Sequence, residues 1–266
     1  MFAGLAPARR RLLLAVAALA VAVAVGLAVV LVQGSNSSAM PVPQGEPGPV
    51  LMIPGFGGST SGLNVLAETL RSDGRDVTIL ALPGDGTGDL REQAQALADA
   101  AGAAIDRTGA SSVDVVGFSA GGLVARLWVA DLGGGGLARR VVTLGAPHHG
   151  TTLAGLAEEL APGSCPLACQ QLDPDSELLR ELNAGDETPD GPAFVSIWTT
   201  LDETVTPPDS ARLEGALGIV VQDVCADSRV THSGLVTDPL VARIVAEQLR
   251  STPPVQLSIQ DCARLS

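Results

Sequence analysis

Val113-Asp114-Val115-Val116-Gly117-Phe118-Ser119-Ala120-Gly121-Gly122 leads a β-favouring run into Gly-x-Ser-x-Gly, and a helix-compatible segment, Leu123 to Asp131, follows. A serine hydroxyl is a poor nucleophile unless a base takes its proton and the backbone presents it clear of its neighbours. A sharp strand-to-helix turn does the presenting, and its crowding admits only glycine two residues to either side of the serine. Gly-x-Ser-x-Gly by itself arises by chance in a chain with 31 glycines. With a strand before it and a helix after it, the motif specifies a nucleophile elbow formed by Gly117, Ser119 and Gly121.

On either side of the elbow, short apolar runs alternate with helical periodicity. Val50 to Ile53, Val77 to Leu82, Val113 to Val116, Arg140 to Leu144, Phe194 to Trp198 and Ile219 to Val224 read as strands. Gly62 to Arg71, Asp89 to Arg107 and Pro239 to Leu249 read as helices. In the second of these, Leu90, Ala94, Leu97, Ala101 and Ile105 share one face. Near-continuous apolar strands separated by helices predict an α/β fold: a mainly parallel six-stranded sheet with helices on both faces. Thr151 to Pro192 breaks the alternation and is expected to form a small cap or loop insertion beside the site.

Catalytic groups in such sheets sit at the carboxyl ends of the strands. Three histidines are available, His148, His149 and His232. The elbow geometry goes with the chain order serine, acid, histidine. Only His232 has an acid placed after the next strand in front of it, namely Asp202 at the end of Phe194 to Trp198. His232 is therefore expected to act as the base, with Asp202 holding its tautomer. Glu203, Asp209, Asp223 and Asp227 are rivals for the acid, and the strand-end position favours Asp202. His148 and His149 follow another strand end and are expected to be structural or pocket-lining. A tetrahedral oxyanion needs two donors. Ala120 N–H, next to the nucleophile, is one candidate. Phe56 N–H, in the glycine-rich loop Pro54-Gly55-Phe56-Gly57-Gly58, is the other. That loop lacks the lysine and the spacing of a phosphate-binding loop.

The N-terminus has a separate character. Arg9-Arg10-Arg11 precedes Leu12 to Val32, 21 residues with no charge. As a helix these span roughly 30 Å, the thickness of a bilayer's hydrocarbon core. The arginines would stay in the cytoplasm and place the rest outside. A signal peptide cleaved near Ala39 is the alternative. An uncleaved anchor is favoured, because signal cores run only about 7 to 15 residues. The expected divisions are residues 1–32 as anchor or signal, 33–49 as a flexible linker, 50–249 as the catalytic domain and 250–266 as a tail. The formal charge is −13, and the first 39 residues hold three arginines and no acid, leaving −16 on the remainder. A domain so acidic offers no footprint for nucleic acid. Four cysteines suit an oxidising compartment, and of their three connectivities Cys165–Cys169 and Cys225–Cys262 are favoured over the others and over a zinc site.

With these residues in place, the chain resembles the α/β-hydrolases, and among them the small bacterial secreted lipases and esterases (the class 2 lipases, including the minimal Bacillus type). The resemblance runs from about Val50 to Leu249. It rests on Ile53-Pro54-Gly55-Phe56-Gly57-Gly58, the elbow, Val141-Val142-Thr143-Leu144-Gly145-Ala146-Pro147-His148, Val195-Ser196-Ile197-Trp198-Thr199-Thr200-Leu201-Asp202 and Thr231-His232-Ser233-Gly234-Leu235. It implies hydrolysis of acyl esters or lipids by a Ser119–His232–Asp202 triad without a cofactor. The chain departs from the family at Pro54 and Phe118, where histidine is common. Two other readings stand beside it: an acyltransferase delivering the same acyl-enzyme to an envelope alcohol or sugar, and a catalytically silent binding protein.

Overall fold

The computed structural model describes residues 42–160 and 163–266. The expected anchor, Leu12 to Val32, lies outside the described residues. Among these, no helix is long and apolar enough to cross a membrane.

Six strands form one parallel sheet: β1 (Val50–Ile53), β2 (Val77–Ile79), β3 (Val113–Phe118), β4 (Ala138–Leu144), β5 (Ala193–Trp198) and β6 (Leu217–Val220). Their spatial order is β2-β1-β3-β4-β5-β6. The chain therefore moves outward from β1 in one direction and from β3 in the other. Loops leaving neighbouring strands diverge at such a switch point and open a crevice at the carboxyl edge. Helix α1 (Ser61–Ser72) follows β1, α2 (Leu90–Thr108) follows β2, and α3 (Ala120–Asp131) follows β3. After β4 come α4 (Thr152–Leu160), α5 (Leu167–Gln171) and α6 (Glu177–Leu182), which make up the predicted cap. A helical turn, α7 (Val221–Val224), continues from β6, and α8 (Pro239–Gln248) and α9 (Cys262–Leu265) complete the chain.

Strand residues alternate between two cores. Val50 and Met52 face Leu63, Leu66, Val241 and Val245 of α1 and α8. Leu51 and Ile53 face Leu90, Leu97, Leu123 and Leu127 of α2 and α3. Each strand is thus buried on both faces, which is why its sequence reads as an apolar run rather than an alternation.

Two strands stop short of expectation: β2 ends at Ile79 where the run to Leu82 is expected, and β6 ends at Val220. The run expected over Ile219 to Val224 turns helical at Val221. The turn sets Gln222 back against the end of β5, where its Nε2 donates to Thr199 Oγ1 at 2.9 Å and its Oε1 accepts from Thr200 N at 3.0 Å. An extended chain would carry that amide away from both groups.

At the amino edge a buried ion cluster holds the chain on both sides of the sheet. Arg139 Nε and Nη2 donate to the two carboxylate oxygens of Asp114 at 2.8 and 2.6 Å, and both side chains are fully buried. Arg75 Nη2 adds a bond to Asp114 Oδ2 at 2.5 Å. Arg139 also donates to the carbonyls of Gln44, Leu249 and Arg250, and Arg140 to that of Thr252. Burial beside Arg139 pushes the Arg140 guanidinium down to about 10. The linker expected to reach Pro49 is therefore docked from Val42 onward, and Val42 itself is buried. A disulfide from Cys225 to Cys262 closes a loop across 37 positions, and Leu257 and Leu265 of the tail join the α1/α8 core. In the chain-entropy account such a loop stabilises by about 3 to 4 kcal/mol. Asp114→Ala, which strands Arg139 in the interior, should lower the unfolding free energy by about 3 to 5 kcal/mol in urea denaturation. Replacing Asp114 and Arg139 together by apolar residues of similar volume should cost much less.

Candidate active site

Ser119 joins β3 to α3 with φ 52° and ψ −126°, and among the described residues it is the one non-glycine with a positive φ. The strain is held by close packing on both sides. A Cβ on Gly117 would lie 2.5 Å from Gly121 O, and one on Gly121 would lie 2.6 Å from both Ile53 O and Pro54 O. Both distances are below any real contact, so the elbow's helix can meet β1 only with glycine there. Ser119 N donates to Leu144 O at 2.9 Å, fixing the turn to the end of β4.

Asp202 and His232 arrive at the same edge from β5 and from the loop after α7. His232 Nδ1 lies 2.7 Å from Asp202 Oδ2, with the carboxylate buried and the imidazole nearly so. Asp202 Oδ1 accepts from Thr204 N at 2.9 Å and Val205 N at 2.8 Å. Both carboxylate oxygens are therefore engaged, and the acid can neither turn nor approach solvent. Thr199 Oγ1 donates to Val230 O at 2.6 Å and so ties the acid loop to the histidine loop. The rival acids Glu203, Asp209, Asp223 and Asp227 are all exposed.

Gly145 is the residue around which the three groups gather. It follows Leu144, the acceptor for Ser119 N. A Cβ built on it would sit 3.1 Å from His232 Nδ1 and 3.2 Å from Asp202 Oδ2, and its φ is +53°. The Phe118 ring, one residue before the serine, lies 4.9 Å from the His232 ring at 36°. Among the described residues Ser119 Oγ makes no hydrogen bond to His232, and such contacts are often long until substrate is bound. The loop after β1 closes the other side, where a Cβ on Gly55 would lie 2.9 Å from Ser119 Cβ. Phe56 therefore follows directly on the residue that packs against the Ser119 side chain, and Ala120 N–H opens α3 among the amides that a helix leaves without internal partners.

The other two histidines are placed elsewhere. His148 is fully buried, with Nε2 3.1 Å from Thr143 Oγ1, which donates in turn to Ser196 Oγ. Burial, followed by the nearby Arg126 charge, holds its pKa well below the usual histidine range. Arg126 is itself pushed down to about 10 by burial. His149 Nε2 lies 2.8 Å from Glu187 Oε1 at the surface. Neither ring contacts Ser119 or Asp202 through any hydrogen bond among the described residues. Sequence patterning missed Gly145, Thr199 and Gln222. For Gly145 the available signal is a glycine immediately after a strand, at the edge where the catalytic candidates cluster.

Because folded His148 resists protonation while the unfolded chain takes up a proton near pH 6.5, the unfolded state gains protons first on acidification. The His148 contribution to stability is therefore complete above about pH 6.5 and is lost as pH falls below it, by up to about 1.4 kcal/mol per pH unit. Urea denaturation between pH 7 and pH 5 should show a component of this slope that His148→Gln removes.

A family model for the alpha/beta hydrolase fold matches residues 48–163. Among solved structures, Aspergillus fumigatus lipase B is similar at a TM-score of 0.67 and 23% identity, covering 81% of this chain and 59% of that one. Bacillus licheniformis lipase BlEst2 is similar in its propeptide form at a TM-score of 0.65 and 19% identity, over 82% of this chain and 52% of that one. In its mature form the TM-score is 0.62 and the identity 18%, over 81% of this chain and 96% of that one. The chain thus spans little more than half of the first two. At these identities the likeness is one of fold. Strand order, the glycine-lined elbow and the matched segment together show that this chain has the α/β-hydrolase fold.

Proposed function

We propose that the protein is a serine carboxylic-ester hydrolase of the lipase or esterase type, cleaving acyl esters through an acyl-enzyme on Ser119. The observation that carries this reading is the buried Asp202–His232 pair, set through Gly145 against the strained turn that bears Ser119. With Nδ1–H donated to Asp202, the imidazole keeps Nε2 free as a base. Ser119 Oγ attacks the ester carbonyl carbon and passes its proton to Nε2. The resulting oxyanion is held by Ala120 N–H and Phe56 N–H. Collapse breaks the bond to the alcohol oxygen, which leaves with the proton from Nε2. Water then adds to the acyl-enzyme by the same route in reverse, releasing the acid and restoring Ser119.

An apolar acyl group is supported by the character of the carboxyl edge. Phe56 is 44% exposed on the oxyanion loop, and Leu201, beside Asp202, is 37% exposed. Leu153 and Leu156 are exposed on α4, whose first residue bonds the acid loop through Thr152 N to Thr206 O at 2.9 Å. The two disulfides, Cys165–Cys169 and Cys225–Cys262, support a location outside the cytoplasm. The arginine-flanked segment Leu12 to Val32 supplies the means of export, as a retained anchor or a cleaved signal.

The full chain should hydrolyse short p-nitrophenyl esters, and Ser119→Ala should abolish both turnover and labelling by a fluorophosphonate. Undiminished turnover in that variant would remove the assignment. His232→Ala should cost about as much as Ser119→Ala, on the order of 10⁶ in kcat, and Asp202→Ala about 10⁴. A mild His232→Ala beside a severe His149→Ala would reassign the base.

A further inference from the structure

We propose that the cap helix α5 positions the oxyanion loop, with Gln171 as the positioning residue. This rests on the hydrolase reading above and deepens it. The oxyanion loop is spanned at Phe56 by a turn hydrogen bond, Gly58 N to Gly55 O at 3.0 Å, while Gly57 and Gly58 both have positive φ and Phe56 is 44% exposed. Its backing is a second loop. Gly57 N donates to Gly86 O at 3.3 Å, and a Cβ on Gly86 would lie 2.7 Å from Gly58 N, so the two backbones touch. Any displacement of Gly86 is therefore passed directly to the backbone beside Phe56 N–H.

The cap grips that second loop at two points. Ala168 N, in α5, donates to Thr87 O at 3.0 Å. Gln171, at the other end of α5, uses both ends of its amide. Nε2 donates to Asp89 Oδ1 at 2.7 Å, and Oε1 accepts from Leu90 N at 2.8 Å. Asp89 is the residue that caps α2, its Oδ1 also accepting from Arg91 N at 2.9 Å. One side chain thus locks the cap to the start of α2, whose Gln93 Nε2 donates in turn to Gly88 O at 3.1 Å and to Gly86 O at 3.4 Å. The cap is in turn made short and stiff. Cys165 is bonded to Cys169 across its first turn, and Gln170 Nε2 donates to Cys165 O at 2.8 Å. At its far end Leu172 O accepts from Thr151 N at 2.9 Å, so the same segment also touches the β4 loop that leads to the acid side. An oxyanion hole is effective only when its donors are fixed before charge develops, and a displacement of about 1 Å costs on the order of 100-fold in rate. Gln171 touches no reacting atom, and its contribution runs through Gly86.

The test is Gln171→Met in the full chain, which keeps the length of the side chain and removes both hydrogen bonds. A positioning role acts on the transition state, so kcat should fall about 10- to 100-fold with KM within about threefold. Labelling of Ser119 by a fluorophosphonate should slow by a similar factor, because that reaction also develops an oxyanion. Two lost hydrogen bonds should lower the melting temperature by no more than about 8 °C. Gln171→Glu, which still accepts from Leu90 N but sets a carboxylate against Asp89 Oδ1, should lose at least as much kcat, while Asp89→Asn, whose Oδ1 can still accept from both Gln171 Nε2 and Arg91 N, should stay within about threefold of the parent. Unchanged kcat in Gln171→Met overturns the proposal. So does a loss of kcat that only follows a loss of folded protein, or one that Asp89→Asn shows equally. Ser119→Ala run alongside separates the two levels. If it is inactive while Gln171→Met matches the parent, only the positioning role fails. If it retains full turnover, the hydrolase reading itself fails.

Discussion

At Ser119 the backbone holds a positive φ that a side-chain-bearing residue adopts only when its surroundings force it, and the force here is the close approach of α3 to β1. Gly117 meets Gly121 and Gly121 meets the carbonyls of Ile53 and Pro54, each at distances where a methyl group could not fit. That contact aims the serine hydroxyl out of the sheet. It also brings the loop after β1 within one residue of Ser119 and opens α3 with its free amides beside the same point. The positions of Ser119 and of both candidate oxyanion donors thus follow from a single crossing. Its position at the switch point between β1 and β3 is a consequence of strand order.

The remaining groups are supplied from the other half of the sheet, and their arrangement is set by how β4 and β5 end. Gly145 lets the acid and the histidine come as close to β4 as van der Waals contact allows. Two backbone amides and the imidazole use both oxygens of Asp202, so the carboxylate is buried without an unmet lone-pair demand. At the opposite edge, Asp114, Arg75 and Arg139 close the sheet's amino end and hold Gln44, Leu249 and Arg250 against it. The molecule therefore has one polar cluster at the amino edge that fixes the chain and a second, Asp202 with His232, at the carboxyl edge, separated by the length of the strands.

Much of the fold was legible before the structure. Val50 to Ile53 and the segments around Val113 and Arg140 read as buried strands because both faces are covered, and Asp89 to Arg107 read as a helix because one face repeats at helical spacing. The error at Ile219 to Val224 has a physical source. Val220 and Val221 favour a strand locally, but Gln222 is drawn back to Thr199 and Thr200 by a pairing that no local pattern encodes. The docking of residues 42–49 was hidden for the same reason, since Gln44 and Gly48 are held by arginines that lie far along the chain.

What the sequence determined by itself is the candidate site at one point: a strand, Gly117, Ser119, Gly121 and a helix, followed in order by one acid and one histidine at strand ends. Those are short-range facts, because the elbow is made by neighbours in the chain and because parallel strands bring their carboxyl ends to one edge. The tertiary structure alone decided which of five acids is buried against His232, that His148 is sealed away as a neutral group, and that Gly145 is where the acid and the histidine meet. It also decided that Gln171 of the cap bonds the start of α2 at Asp89 and Leu90. Each of these depends on packing between segments distant in sequence, where burial and hydrogen-bond pairing select among residues that are chemically alike.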